Sequence, residues 1–187
     1  MSESEFHIRC TTAYENHYLY GGWVAISDPG EMAEEIEKIL NRCPHDDGED
    51  YVIDNYRGEI LHLALNLGRN PDLEKLYIWN SMLRRHGDAF VAYTYCGFLP
   101  KDYRVHEKDF NERFMGEYET RRDFGREMFG TFYRETFGGN DVPDLFDRYM
   151  DYEQYAKNEV IPDIDEIRYN GKLFYFEESD YFDESDI

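Results

Sequence analysis

The tightest constraint on this chain is a charge imbalance that it must fold in spite of. Acidic residues outnumber basic ones, 41 Asp and Glu against 20 Lys and Arg, for a formal net charge of −21. Charge on this scale keeps a chain unfolded when few aromatics accompany it, because too little apolar surface is buried to offset the lost conformational entropy. Here it comes with 17 Tyr, 13 Phe and 2 Trp. The chain can therefore bury a real core. Its 187 residues suffice for one large domain or two to three small ones, at about 100–200 residues per domain.

The charge also excludes partners. A strongly negative surface is repelled by nucleic acid and by anionic lipid, which argues against direct nucleic-acid binding and against the membrane surface. No apolar run approaches the ~18–20 residues of a membrane span. Residues 1–7 lack the basic and apolar blocks of an export signal, so the expected compartment is the cytoplasm. Cys10, Cys43 and Cys96 are odd in number and 33 and 53 positions apart. That pattern indicates neither a disulfide framework nor a zinc pair, and reduced thiols are expected.

Breakers at Gly68-Arg69-Asn70-Pro71 and at residues 97–101 divide the chain into three segments. Residues 1–67 hold 14 acids and 4 bases, residues 68–107 hold 5 and 6, and residues 108–187 hold 22 and 10. Two acidic segments thus flank a neutral one, and residues 177–187 carry six acids and no base.

The first segment reads β-β-α-β. Residues 6–12 and 20–26 are expected strands, with Gly21-Gly22 marking a bulge or close approach. Residues 31–42 are an expected helix, with Met32, Ile36, Ile39, Leu40 and Cys43 on one side, Glu31, Glu34, Glu35 and Lys38 on the other, and Pro44 at its end. Residues 51–56 are the third strand. The middle segment reads as helical. Pro71 is expected near the first turn of a helix with two apolar faces, Leu73, Leu76, Tyr77 and Leu83 on one and Ile78, Trp79 and Met82 on the other. Such a helix is either central in a core or part of an interface. Residues 88–96 read as a further short helix.

The third segment reads as mainly helical. Residues 120–137 form an expected helix with a core stripe of Phe124, Met128 and Phe132, stopped by Gly138-Gly139. Residues 141–158 are one bent helix or two short ones, with Leu145, Phe146, Tyr149 and Met150 inward and Asp144, Asp147 and Asp151 at i, i+3 and i+7 on the opposite side. Residues 173–176 are a closing strand. The fold class expected is α+β, an elongated chain of three small domains over 1–67, 68–107 and 108–187.

Nucleophile-elbow, Walker, dinucleotide-binding, zincin and C-x-x-C patterns are all missing from the sequence. The histidines never fall in ligand spacing. His45 beside Asp46 and Asp47 reads as a solvated loop or a metal site, but the run 46–50 lacks the alternating oxygen ligands of a calcium loop. With so many acids, paired carboxylates carry no signal for glycoside hydrolysis. What remains is the charge itself. Carboxylates at i, i+3 or i+4 on one helix face lie roughly 5–6 Å apart, close to the spacing of successive phosphates. Duplex DNA carries one charge per ~1.7 Å of axis, so this net charge matches ~36 Å of duplex, and a dimer twice that. The chain is then either a counterfeit of DNA or an acidic protein whose charge serves solubility.

Phe114-Met115-Gly116-Glu117-Tyr118-Glu119-Thr120-Arg121-Arg122-Asp123-Phe124 resembles the aromatic-x-G-x-Y-x-(S/T)-x-x-D-F stretch of ArdA-type antirestriction proteins. Tyr149-Met150-Asp151-Tyr152-Glu153-Gln154-Tyr155-Ala156 is similar to that family's Y-(I/M)-D-Y-x-x-Y-A. Tyr14-Glu15-Asn16 and Trp23 resemble its Y-N…G-x-W opening, with Gly22 abutting Trp23. Asp50-Tyr51-Val52-Ile53-Asp54-Asn55-Tyr56 resembles its E-Y-x-I-x-D-Y strand, with Asn55 where the family often has Asp.

The resemblance implies a cytoplasmic DNA mimic of mobile elements, an elongated homodimer of three-domain protomers. It implies occupancy of the DNA-binding groove of type I restriction-modification enzymes, chiefly the methyltransferase core, with no catalysis and no cofactor. The candidate partner-binding surface is Glu31, Glu34, Glu35, Asp46, Asp47, Glu49, Asp50, Asp144, Asp147 and Asp151. Ile78, Trp79 and Met82 are the candidate dimer surface. The neutral segment, with Arg69, Lys75, Arg84, Arg85, Lys101 and Arg104, either faces away from the target or interrupts the mimicry. Two alternatives stand beside this reading. One is an acidic interaction protein that neutralises a nuclease, a nucleoid protein or another defence system. The other is an enzyme that uses clustered carboxylates and a divalent metal.

Overall fold

The computed structural model describes residues 4–43, 50–68 and 70–178. The chain is mixed α+β and divides into two compact units, Met1–Val91 and Ala92–Ile187. Each carries a three-stranded antiparallel sheet.

In the first unit, β1 (Glu5–Cys10) is the central strand, between β2 (Gly21–Ala25) and β3 (Tyr51–Arg57). Its alternation explains its place: Phe6, Ile8 and Cys10 are buried on one face, while Glu5, His7 and Arg9 line the other. The short helix α1 (Thr11–Glu15) follows β1 directly. Gly21 is required where β2 crosses β1, since a Cβ there would lie 2.0 Å from the Ile8 carbonyl oxygen. A bulge between His7 and Ile8 shifts the β1–β3 register.

Helix α2 (Pro29–Leu40) starts where Asp28 accepts the Gly30 N–H at 2.9 Å, with Pro29 in the first turn. It buries Met32 and Ile36. After β3, a 3-10 turn (Glu59–Leu63) and α3 (Ala64–Leu67) bury Ile60, Leu63 and Leu67. Helix α4 (Leu73–His86) is capped by Asp72 on the Glu74 N–H at 2.8 Å, so Pro71 lies before the cap rather than in the first turn. It buries Leu76, Trp79, Asn80, Met82 and Leu83. Tyr77 is exposed, so the expected face of Leu73, Leu76, Tyr77 and Leu83 is only partly realised. Helix α5 (Asp88–Tyr93) carries the chain into the second unit.

The second unit holds a 3-10 turn (Tyr103–Val105), α6 (His106–Arg113), β4 (Phe114–Tyr118) and α7 (Arg121–Thr136). Next come α8 (Asp144–Tyr149) and α9 (Tyr152–Tyr155), the latter running on through a π turn (Ala156–Val160) and a 3-10 turn (Ile161–Asp163). Strands β5 (Ile164–Tyr169) and β6 (Lys172–Glu177) close the sheet in the order β4-β6-β5. The segment is therefore not simply helical with one closing strand. Asn170 and Gly171, both at positive φ, make the β5–β6 hairpin. Central β6 buries Leu173, Phe174, Tyr175 and Phe176, so both of its faces are covered. On one face Phe124 stacks on Tyr175 at 3.7 Å between ring centroids, beside Ala156 and Leu173. On the other face Phe176 packs with Tyr93, Phe110 and Phe114.

Two orientations differ from expectation. The α7 stripe runs through Phe124, Gly125 and Phe129, while Phe132 faces solvent. Leu145 and Tyr149 are 66% and 83% exposed, with Phe146 also exposed, so α8 turns its apolar side outward. The reason is a break in the helix. Met150 is extended between α8 and α9, and the buried residues Tyr152 and Ala156 belong to the second piece.

Candidate interaction surface

The carboxylates of α2 follow from its amphipathic pattern. Once Met32 and Ile36 turn inward, Glu31, Glu34 and Glu35 must face water, and all three are exposed. Glu31 and Glu34 carry no ion pair among the described residues, whereas Glu35 sits 3.3 Å from Lys38. Glu37 is exposed on the same helix and was not among the expected residues. Glu31 in the first turn also complements the helix dipole. Asp50 is exposed where β3 begins, and its main-chain oxygen accepts both the N–H and the hydroxyl of Thr11 at 3.1 and 3.0 Å. Asp46, Asp47 and Glu49 lie outside the described residues.

In the second unit the three expected aspartates do different work. Asp144 is exposed in the first turn of α8. Asp147 is half-buried and accepts from Arg126 at 2.8 Å and from the Tyr152 hydroxyl at 3.1 Å. Asp151 caps α9 by accepting the Gln154 N–H at 3.0 Å. Because the helix is interrupted at Met150, the three share no single helix face. Arg126, Arg134, Asp144 and Asp147 line a cavity of about 270 Å³.

Trp79 and Met82 are each 2% exposed and pack in the first unit's core, Trp79 edge-on to Phe90; Ile78 is half-buried. A side chain already covered by its own chain offers nothing to a second copy. Open apolar side chains include Leu19, Leu61, Leu65 and Phe98, and a group of them lies on α8 and the end of α7. There Phe146 packs near Tyr133, and Tyr133 packs on Phe137, beside a depression of about 280 Å³ lined by Leu145, Phe146, Tyr149 and Met150.

Ionic groups, one set buried and one half-buried, tie elements of the second unit together. Arg113, 3% exposed, donates to Asp109 at 3.2 Å, Asp165 at 2.9 Å and the carbonyls of Phe98 and Glu177 at 2.9 and 2.6 Å. Arg121 grips Glu166 with two nitrogens, and the Tyr175 hydroxyl donates to the same carboxylate at 2.8 Å. Those bonds, the guanidinium first, hold the Glu166 carboxyl below the usual range. Among the described residues no group of three His, Cys, Asp or Glu side chains converges to hold a metal, and no helix is long and apolar enough to cross a membrane.

The two motif stretches of the third segment meet in space. One supplies β4, the Thr120 cap of α7 and the core ring of Phe124; the other supplies α9. Gly125, directly after the first motif, lies against Tyr152 and Ala156 of the second. The two stretches thus encode a packed scaffold in the second unit. The family model for antirestriction protein (ArdA) matches residues 6–170, and the chain belongs to that family. It is therefore an antirestriction protein, an inhibitor of restriction enzymes. Comparison with curated proteins finds no match.

Proposed function

We propose that the protein inhibits by mimicking DNA: it occupies the DNA-binding groove of a type I restriction-modification enzyme, chiefly the methyltransferase core. It acts in the cytoplasm by occupancy rather than catalysis, with no cofactor and no nucleic acid of its own. The observation that carries this reading is the outward row of exposed carboxylates on α2, of which Glu31 and Glu34 carry no ion pair among the described residues, in a chain of net charge −21 that belongs to an antirestriction family. A groove built to hold phosphates with Lys and Arg takes such a row by the same counterion release. Asp50 in the first unit and Asp144 in the second are further exposed carboxylates; Glu35, Asp147 and Asp151 contribute less, being paired or engaged in capping.

The working form is a homodimer, and the apolar pad on α8 is its contact. Two protomers of like charge meet where charge is lowest. Leu145, Phe146 and Tyr149, with Phe137 beside them, bare roughly 400–600 Å², at or above half of the ~800 Å² one partner gives to a standard interface. A layout in three domains, with the neutral segment 68–107 linking two acidic ones, remains part of this reading. The test is displacement of a labelled duplex from the methyltransferase core. Complete displacement at stoichiometric protein supports the mimic; a ternary complex with the duplex still bound contradicts it.

A further inference from the structure

Cys10 and Cys43 are 33 positions apart in sequence, and their Sγ atoms lie 3.3 Å apart. Separate features of the first unit deliver them to one place. Strand β1 ends at Cys10, whose side chain is fully buried. Helix α2 lies on β2 with Ile39 against Gly22, so closely that a Cβ on Gly22 would sit 2.9 Å from Ile39 Cδ1. Cys43 then follows the last turn of α2, its N–H bonded to the Leu40 carbonyl at 2.8 Å. Tyr20 ties the two segments together. Its hydroxyl donates to the Ile39 carbonyl at 2.9 Å, and its own carbonyl accepts the Cys10 N–H at 3.0 Å. Cys96, the remaining thiol, belongs to the second unit, where burial pushes it up to about 12.

We propose that Cys10 and Cys43 are a reversible dithiol–disulfide pair that clamps the end of α2 to the end of β1. A disulfide holds its sulfurs about 2.0 Å apart, so closure requires an approach of about 1.3 Å, within reach of rotation at half-buried Cys43. Glutathione disulfide is a sufficient oxidant. The Cys43 thiol gives its proton to solvent, and its thiolate attacks one glutathione sulfur. One glutathione leaves as a thiolate and takes up a proton. The Cys10 thiol then gives up its proton, its thiolate attacks Cys43 Sγ in the mixed disulfide, and the second glutathione leaves as a thiolate that takes up a proton. The two protein thiols lose two electrons, and one glutathione disulfide becomes two thiols. The closed loop spans β2 and all of α2, including Glu31, Glu34 and Glu35. In a reducing compartment the bond forms only transiently, under oxidative load. This inference does not depend on DNA mimicry.

The test incubates the full chain with oxidised and reduced glutathione at graded ratios, followed by peptide mapping without reductant. Cleavage after Arg9, Lys38, Arg42 and Arg57 places the two cysteines on separate peptides. The expected result is one Cys10–Cys43 crosslink, loss of two of three free thiols, and a rise in Tm of about 5–10 °C that dithiothreitol reverses. Cys43→Ser removes both crosslink and rise, and Cys96→Ser removes neither. If Cys43→Ser folds poorly, the wild-type peptide map still decides. Three free thiols at the most oxidising ratio overturn the proposal. So do a persistent glutathione adduct on Cys43 without the crosslink, or a crosslink through Cys96.

Discussion

Gly125 of α7 passes so close to Tyr152 of α9 that a Cβ on Gly125 would sit 2.1 Å from the Tyr152 carbonyl oxygen. Backbone cannot retreat as a flexible side chain can, so Gly125→Ala should destabilise the protein by ~1–3 kcal/mol despite its better helix propensity. Gly130, five residues on, is the control: a Cβ there meets only the end of Arg134 at 3.9 Å. Gly130→Ala should stabilise by ~0.5–1 kcal/mol. Urea midpoints of the two variants, moving in opposite directions, check the packing.

The Arg113 hub gives a larger effect. Its guanidinium is the partner of Asp109, itself buried, and of Asp165 and two carbonyls. Arg113→Met leaves a buried carboxylate uncompensated and should cost ~3–5 kcal/mol. Chemical denaturation at pH 7 reads it directly.

Glu166 supplies a pH signature. Its pKa is lowered in the folded protein by Arg121 first, and then by the Tyr175 hydroxyl. A depressed carboxyl pKa contributes stability above the unfolded value near 4.5, and the contribution disappears as pH falls through the folded value. Glu166→Gln should therefore cost ~1 kcal/mol at pH 7, a modest figure because Arg121 is more than a third exposed. The difference from wild type should shrink steadily below pH 4.5.

Much of the first unit was legible because its periods are clean. Phe6, Ile8 and Cys10 alternate, while Met32 and Ile36 repeat at helical spacing. Strands β4 and β5 were not, because Gly116 and Glu117 interrupt one and Asp165, Glu166 and Arg168 the other; partnership with β6 makes them strands. Asn170-Gly171 was the available hairpin signal. The outward turn of α8 was hidden because Leu145, Phe146 and Tyr149 look like core until the break at Met150 is known. Exposed Glu31 and Glu34 could be read from one helix wheel. The capping role of Asp151 and the Arg126 partner of Asp147 depend on where separate elements land. The meeting of Cys10 and Cys43 is likewise a property of the fold, which their separation in sequence does not encode.

The α8 pad predicts an oligomeric state. Leu145→Asp with Tyr149→Asp adds charge to exposed positions, so monomer stability should change by less than ~0.5 kcal/mol per site. Light scattering should show wild type at twice the protomer mass and the double variant at the protomer mass.

Dispersed recognition predicts shallow single effects. Glu31→Gln or Glu34→Gln alone should weaken inhibition by less than ~1 kcal/mol, as exposed charges do. Amides at Glu31, Glu34, Glu35, Asp50 and Asp144 together should weaken it progressively. Loss of all inhibition from one substitution would point to a localised site instead.

DNA mimicry is tested by the salt dependence of the complex between this protein and a type I methyltransferase core. If carboxylates replace phosphates in the groove, log K falls linearly with log salt, and the loss between 50 and 200 mM reaches roughly 10³-fold or more, as for a DNA ligand with six or more contacts. An affinity that stays flat over that range would show that the carboxylates do not stand in for phosphates.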